Sequence, residues 1–503
     1  MALNSQRPAL SQRWLNSLET AGNRLPHPVL LFIYFCVAII LSSALANSLG
    51  LSATHPISND TITAKSLLSS DGLRWMISNA VANFIHFAPV GSVIVAILGI
   101  AVAEESGLLA CVLHRLASKA PPKFLSAFVV FAGVMSSIGF DSGYVVLIPL
   151  AALIFRAAGR SPLAGIAAAF AGVSGGYSAN LLLGPVDAIL AGITTEAIGL
   201  VAPEHQVLTS ANYYFTLAST VFITLGGAWI NEVFVEPRLA KPSTSNEKSA
   251  TIPKDIQRQA IALRRVGGFS LAFIAILFAL VLPADGLLRN PDPNGLAALP
   301  LLNGIVVFIA VYAVIAGIIF GYGTGKFKSQ HDWVGGMESG LASLSGYLVL
   351  MFFAAQFVNY FNWTGLGAIT AINGAQWLAG LALSKTSLLV SFVLVSAGIN
   401  LLIGSASAKW ALMAPIFVPM LYLLGVDPES SQMAYRIGDS STNIITPLMP
   451  YFGVVVAFVQ RHDKSAGMGT LMALMLPYSL CFLIGWSLLL GLWLAAGLPL
   501  GPA

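Results

Sequence analysis

Gly172-Val-Ser-Gly-Gly-Tyr-Ser-Ala-Asn180 and Arg436-Ile-Gly-Asp-Ser-Ser-Thr-Asn443 are the stretches on which the reading of this 503-residue chain turns. Each is polar and rich in small residues, and each interrupts a long apolar region. The chain around them is 56% apolar and only 9% charged. A soluble protein carries about 25% charge, so most of this chain cannot face water. The composition predicts a polytopic membrane protein and excludes disordered, collagenous and disulfide-framework classes. Inside a bilayer, a broken helix frees backbone polar groups that only neighbouring protein, ions or water can satisfy.

The two interrupted regions overlay. A shift of 266 residues brings Tyr144 onto Trp410, Pro149 onto Pro415, Gly159 onto Gly425, Pro162 onto Pro428, Gly172 onto Gly438 and Ser174 onto Ser440. With one residue of slip, Gly133 falls on Gly398 and Ile138-Gly139 on Ile403-Gly404. Upstream, a shift of 258 brings Trp75 onto Trp333 and Gly107-Leu108 onto Gly365-Leu366. Basic residues place the N-terminus, the 114–123 loop, the 238–265 linker and the 323–332 loop on the cytoplasmic side. The 51–74 and 284–298 loops, poorer in Lys and Arg, are placed outside. The loop before Trp75 is therefore outside and the loop before Trp333 inside, so the repeats cross in opposite senses. The expected architecture is all-helical with inverted repeats, the form of secondary transporters. Its divisions are a cytoplasmic segment 1–28, a first repeat 29–231, a basic linker 232–265, a second repeat 266–466 and a last helix 467–503. The first apolar run, Val29 to Leu49, lacks a convincing cleavage site and reads as a span.

Charges within the interrupted segments are costly and so are candidate functional groups. The first repeat offers Asp141 and Asp187, with Ser174, Ser178 and Asn180. The second offers Lys409, Arg436 and Asp439, with Ser440, Ser441, Thr442 and Asn443. Asp439 and Asn443 are four apart and face the same way on a helical turn. With Ser440 and freed carbonyls they suit a Na⁺ shell. A proton would instead suit Asp187, in an apolar run after Pro185. Arg436 offers a planar fork of donors for an anionic carboxylate, or else it pairs with Asp439 three residues on. Trp410 either stacks on an aromatic substrate ring or packs as an ordinary tryptophan. Pro162 and Pro428 mark helix boundaries from which the following half-helix re-enters. Glu104, Glu105, Trp75 and Trp333 read as interfacial.

Enzyme signatures are nearly absent. There is no GxxxxGK[ST] and no HExxH. Gly172 to Gly176 fits GxSxG, but between apolar helical runs rather than a strand and a helix, so a membrane hydrolase is a minor alternative. Cys36, Cys111 and Cys481 form no CxxC pair and read as small apolar residues. A net charge of +4, widely dispersed, gives no footprint for nucleic acid. No cofactor is expected beyond a coupling ion, Na⁺ or H⁺.

Four runs together resemble a known family. They are Gly22-Asn-Arg-Leu-Pro-His-Pro28, Gly99-Ile-Ala-Val-Ala-Glu-Glu-Ser-Gly107, Asp141-Ser-Gly-Tyr-Val-Val-Leu-Ile-Pro149 and Arg436 to Asn443. In order, over nearly the whole chain, they are similar to the bacterial p-aminobenzoyl-glutamate (AbgT) transporter family, which includes sulfonamide exporters. The resemblance implies a bowl-shaped homodimer with about nine spanning helices and two re-entrant hairpins per subunit. It implies ion-driven import of p-aminobenzoyl-glutamate or export of sulfonamide antimetabolites, with no enzymatic step. The family's functional acid, Trp, Pro and Arg would fall on Asp187, Trp410, Pro428 and Arg436, with Asp141 a competing acid. Its cation-site residues would fall on Asp439 and Asn443. The expectation is a multi-pass transporter of the bacterial inner membrane with a cytoplasmic N-terminus. Its partners would be a small aromatic carboxylate or sulfonamide, membrane lipid and a second copy of the chain. Proton antiport is the favoured drive, and a sodium-coupled dicarboxylate importer the alternative.

Overall fold

The computed structural model describes residues 28–54, 61–118, 121, 124–139, 143–239, 256–283, 286–288, 301, 304–449, 451–464 and 466–502. The segment before Pro28, residues 240–255 of the basic linker, and Asp141 lie outside the described residues. In the first half the chain forms α1 (Pro28–Ser48), a two-strand antiparallel pair β1 (Ser52–Thr54) and β2 (Thr61–Thr63), α2 (Ser70–Ile85), α3 (Ala88–Glu105), α4 (Leu108–Ser118) and α5 (Leu125–Ser136). Next come α6 (Ile148–Ala157), α7 (Pro162–Phe170) with a wide π turn at Ala171–Gly175, α8 (Pro185–Ile198) and α9 (Tyr213–Ile230). α10 (Ile256–Val281) precedes the second half. That half holds α11 (Ile305–Thr324), α12 (Gln330–Ser343), α13 (Ser345–Trp363), α14 (Leu366–Ala379) and α15 (Lys385–Asn400). It ends with α16 (Ala406–Leu423), α17 (Pro428–Asn443), α18 (Phe452–Gln460) and α19 (Met468–Ala495).

The matched glycines share a conformation. Gly159 and Gly425 have φ of 72° and 76°, and Gly107 and Gly365 have 81° and 75°. This is left-handed backbone that a Cβ disfavours. Each of the first two closes its helix in the same way. Arg160 N donates to Phe155 O at 2.8 Å, and Val426 N donates to Leu421 O at 3.0 Å, the long bond of a Schellman end. Two residues further on, Pro162 and Pro428 each stand at the first position of a helix, where a missing N–H is harmless. α6 and α7 thus form one helical hairpin, and α16 and α17 its counterpart. The turns are anchored differently. Arg160 binds Glu236 and Glu232, the latter at 2.7 Å, at the end of α9. Glu429 meets His205 at 3.2 Å.

Packing between the halves is reciprocal. α1 lies on α13 while α11 lies on α3, and α2 lies on α13 while α12 lies on α3. Contacts exchanged in this way are the mark of a two-fold relation. Among the described residues α10 has no counterpart, and it leans on α11 through Ala262, Val266, Ala316 and Phe320.

Among the described residues, six helices are long and apolar enough to cross a membrane, or seven if α12 and α13, bent by 45°, are one span. Several others, including α5, α6 and α15, fall short of the roughly 20 residues a crossing needs. Exposure runs opposite to that of a soluble protein. Leu480, Ile484, Leu488 and Leu492, four apart on α19, are exposed, as are Leu271, Ile276 and Phe278 on α10. A rim this apolar suits lipid. The polar residues of α17 are inside.

Glycine also sets how closely the hairpins approach α5 and α15. A Cβ on Gly172 would stand 2.3 Å from the Val130 carbonyl oxygen, and one on Gly438 would stand 2.4 Å from that of Val393. Backbone cannot yield there, and overpacking costs about 1–3 kcal/mol or more. Gly172→Ala and Gly438→Ala are each expected to lower Tm by several degrees. Gly398→Ala, in open space on α15, should leave it unchanged. Melting of the three purified variants checks this, and equal Tm values would refute the close approach.

Candidate substrate and ion site

α17 is buried along its whole length except at Glu429, although it carries Arg436, Asp439, Ser440, Ser441, Thr442 and Asn443. Polar groups so placed need partners, because burying an unpaired charge is costly. α8, α15 and α16 supply them.

Arg436 and Asp187 form the first pair. Asp187 is the third residue of α8, and its Oδ2 accepts from Gly184 N at 2.8 Å, capping the helix start. Its Oδ1 lies 2.7 Å from Arg436 Nη1, with the two side chains 9% and 3% exposed. Arg436 Nη2 donates to the Ser178 carbonyl at 3.3 Å, and Nε is buried without a hydrogen-bond partner. The fork thus joins α17 to the polar stretch 172–180, the two segments that the 266-residue shift had superposed. An open donor beside a filled one leaves capacity for a further acceptor.

The second pair is Asp439 with Lys409. Lys409, on the first turn of α16, is fully buried. Its ammonium lies on Asp439 Oδ1 and on the side-chain oxygen of Asn400. The i,i+3 pairing of Arg436 with Asp439 does not form. Three residues on a helix leave two side chains about 60° apart around the axis. That is enough for one to reach α8 and the other α16.

Trp410 follows Lys409 and is fully buried. Its ring stacks on Tyr435 with centroids 4.5 Å apart and planes at 25°, and its N–H donates to Thr194 Oγ1 at 2.9 Å. Thr194 Oγ1 lies 2.6 Å from Gln432 Oε1, and Gln432 Nε2 donates to Asn212 Oδ1 at 2.8 Å. Asn212 in turn donates to the Glu429 carbonyl at 2.9 Å. A hydrogen-bonded line therefore runs from the turn of the second hairpin to the indole. In this conformation the indole is stacked within the protein, and a ligand ring reaches it only after Tyr435 moves.

As sodium ligands, Asp439, Asn443 and Ser440 fit in part. Asn443 Nδ2 donates to Asp439 Oδ2 at 3.3 Å, and Ser440 Oγ is buried without a partner. Asp439 Oδ1 is already taken by Lys409. Among the described residues no group of three or more His, Cys, Asp and Glu is gathered for a metal.

Asp187, Arg436, Trp410 and Asp439 thus lie on three helices, α8, α16 and α17, that pack on one another. Pro428 sits at the remote start of α17. Asn400, Thr194, Gln432 and Tyr435 join the same network but carry no charge, and nothing in their spacing singles them out. Pro428 fixes the entry of α17, and replacing such a proline costs about 0.4–1 kcal/mol. Pro428→Ala is expected to express and melt nearly as wild type while transporting more weakly. Loss of folding with no selective transport defect would make Pro428 a packing residue.

The chain matches the family described as the AbgT putative transporter family over residues 13–503. It is 37% identical over 486 residues to the p-aminobenzoyl-glutamate transport protein of Escherichia coli K12, covering 96% of this chain and 95% of that one. Among solved structures it is similar to the YdaH transporter of Alcanivorax borkumensis, with a TM-score of 0.91 and 50% identity, over 95% of this chain and 100% of that chain. It is also similar to MtrF of Neisseria gonorrhoeae, described as illuminating a class of antimetabolite efflux pumps. Here the TM-score is 0.90 with 45% identity, over 96% of this chain and 97% of that one.

Proposed function

This chain belongs to the AbgT family, and from that membership we propose that it carries p-aminobenzoyl-glutamate, sulfonamide antimetabolites or both across the bacterial inner membrane, driven by an ion gradient. The reading is supported above all by the Asp187–Arg436 pair, a buried guanidinium with an unpartnered Nε at the junction of the two repeats. A carboxylate that displaces Asp187 gains a charge-assisted bond there, and Trp410, on the neighbouring α16, offers a face to an aromatic ring once Tyr435 moves off it. The inverted crossing, the cytoplasmic N-terminus, the two re-entrant hairpins and the homodimer belong to the same proposal.

Counterflow of labelled p-aminobenzoyl-glutamate in proteoliposomes, under separate Na⁺ and H⁺ gradients, tests it. Competition by a sulfonamide but not by succinate supports the reading. Succinate competing better than either would move the protein to the dicarboxylate importers, and conductance independent of any gradient would make it a channel.

A further inference from the structure

The substrate reading leaves Lys409 unused. Its fully buried ammonium meets the Asp439 carboxylate and the Asn400 side-chain oxygen. The surrounding groups form a closed set. Asn400 Nδ2 lies 2.6 Å from the Asp439 carbonyl, 2.8 Å from Thr442 Oγ1 and 3.0 Å from Asn443 Oδ1. Tyr435 Oη donates to the Ala406 carbonyl at 2.5 Å, with Asp439 Oδ1 at 3.5 Å. Carboxylate, amide and carbonyl oxygens gathered where backbone turns away from regular helix are what a small hard cation needs. Two further hydroxyls on these helices lack partners. Ser440 Oγ, beside Asp439, and Ser396 Oγ, one turn before Asn400 on α15, are both buried without hydrogen-bond partners.

Charge decides what such a cage can hold. In this interior Asp187 and Arg436 cancel, as do Asp439 and Lys409. A free cation added beside the ammonium would place two positive charges on one carboxylate and leave the interior with an uncompensated charge, which burial strongly disfavours. The ammonium and a free cation therefore exclude each other.

We propose that Lys409 is a tethered cation, held by Asp439 and Asn400 in a cage that Asn443 braces from behind, so that a free monovalent cation of the size of sodium enters only when Lys409 withdraws. This stands apart from which anion the protein carries. It reassigns Asp439, expected to hold Na⁺, since in this conformation its carboxylate holds a lysine.

The test is melting of the purified full-length protein in NaCl and in N-methylglucamine chloride at equal ionic strength. Wild type should melt alike in both. Lys409→Met keeps the stem and removes the charge. It should melt lower by roughly 5 °C or more in N-methylglucamine and recover saturably as Na⁺ replaces it. In Lys409→Met/Asp439→Asn, where both charges are gone, the sodium effect should vanish. Sodium stabilisation of wild type that Asp439→Asn abolishes would overturn the proposal, because sodium would then bind beside the lysine. A folded Lys409→Met indifferent to sodium would also overturn it, as would a Lys409→Met that fails to fold even in saturating Na⁺.

Discussion

Arg436→Lys is expected to lower transport of p-aminobenzoyl-glutamate tenfold to a hundredfold while the protein still folds. Arg436 binds Asp187 through Nη1 at 2.7 Å, reaches the Ser178 carbonyl through Nη2 at 3.3 Å and keeps Nε unpartnered. A lysine can hold Asp187, so the buried charge stays compensated. Its single head cannot also reach Ser178 or grip a carboxylate with two parallel donors. One charge-assisted hydrogen bond is worth about 1.5–3 kcal/mol, and about 1.4 kcal/mol is tenfold in affinity. Arg436→Ala is a different experiment. It leaves Asp187 buried without its partner, at a cost of about 3–5 kcal/mol, and should lose folded protein as well as transport. Counterflow rates beside melting temperatures separate the two effects. Wild-type binding by Arg436→Lys would remove this residue from the substrate site.

The Lys and Ala variants differ because the pair joins segments far apart in the chain, and that is the part of the site that sequence could not disclose. Local spacing offered Arg436 only one partner, Asp439, three residues on. Which acid it takes depends on how α17 is clasped between α8 and α16, a matter of tertiary packing with no one-dimensional trace. Trp410 shows the same limit, since an indole facing a ligand and one stacked on Tyr435 are written alike. Backbone demands fared better. A left-handed turn admits glycine far more readily than other residues, so Gly107, Gly159, Gly365 and Gly425 stand at matching places in both halves, and the offsets of 258 and 266 recover structural equivalence. Lys409 lies between these cases. A lone lysine in an apolar run announces that something must compensate it. Its partners Asn400 and Asp439 lie on the two helices beside it and are fixed only by the fold.

The placement of α17 also explains why so polar a helix is stable inside an apolar shell. Arg436, Lys409, Asp187 and Asp439 are all buried, yet each cation lies on a carboxylate, so these four charges cancel. Breaking one pair frees a charge that the apolar surroundings cannot solvate. Any ligand or ion that enters must therefore replace a charge rather than add one. In the proposed ion-driven cycle this constraint would tie substrate to coupling ion.

Asp187→Asn puts that constraint to its sharpest test, and it is expected to bind p-aminobenzoyl-glutamate roughly tenfold more tightly than wild type at alkaline pH. While Asp187 is ionised it occupies Arg436, and an anionic substrate must displace it. A proton on Asp187 removes the competitor, so proton and anion bind together. Within the proposed function the expected result is a proton travelling with the substrate, where the sequence reading favoured antiport. Asn copies the protonated form, keeping an oxygen for the Gly184 N–H that Asp187 now accepts at 2.8 Å while losing the charge. In the variant an imposed pH gradient should no longer drive uptake. Other charges on the packed helices are differently placed. Lys409 and Asp439 hold each other, Glu429 is turned to His205 at the start of α17, and Glu196 stands nine residues beyond Asp187 on α8. Stability supplies an independent reading. Without substrate, the neutral amide of Asp187→Asn would leave the Arg436 charge uncompensated, so the variant should melt lower than wild type, and saturating substrate should restore it by linkage. Weaker binding by Asp187→Asn, or an unchanged response to the pH gradient, would take Asp187 out of the coupling mechanism and leave its carboxylate as a cap on α8.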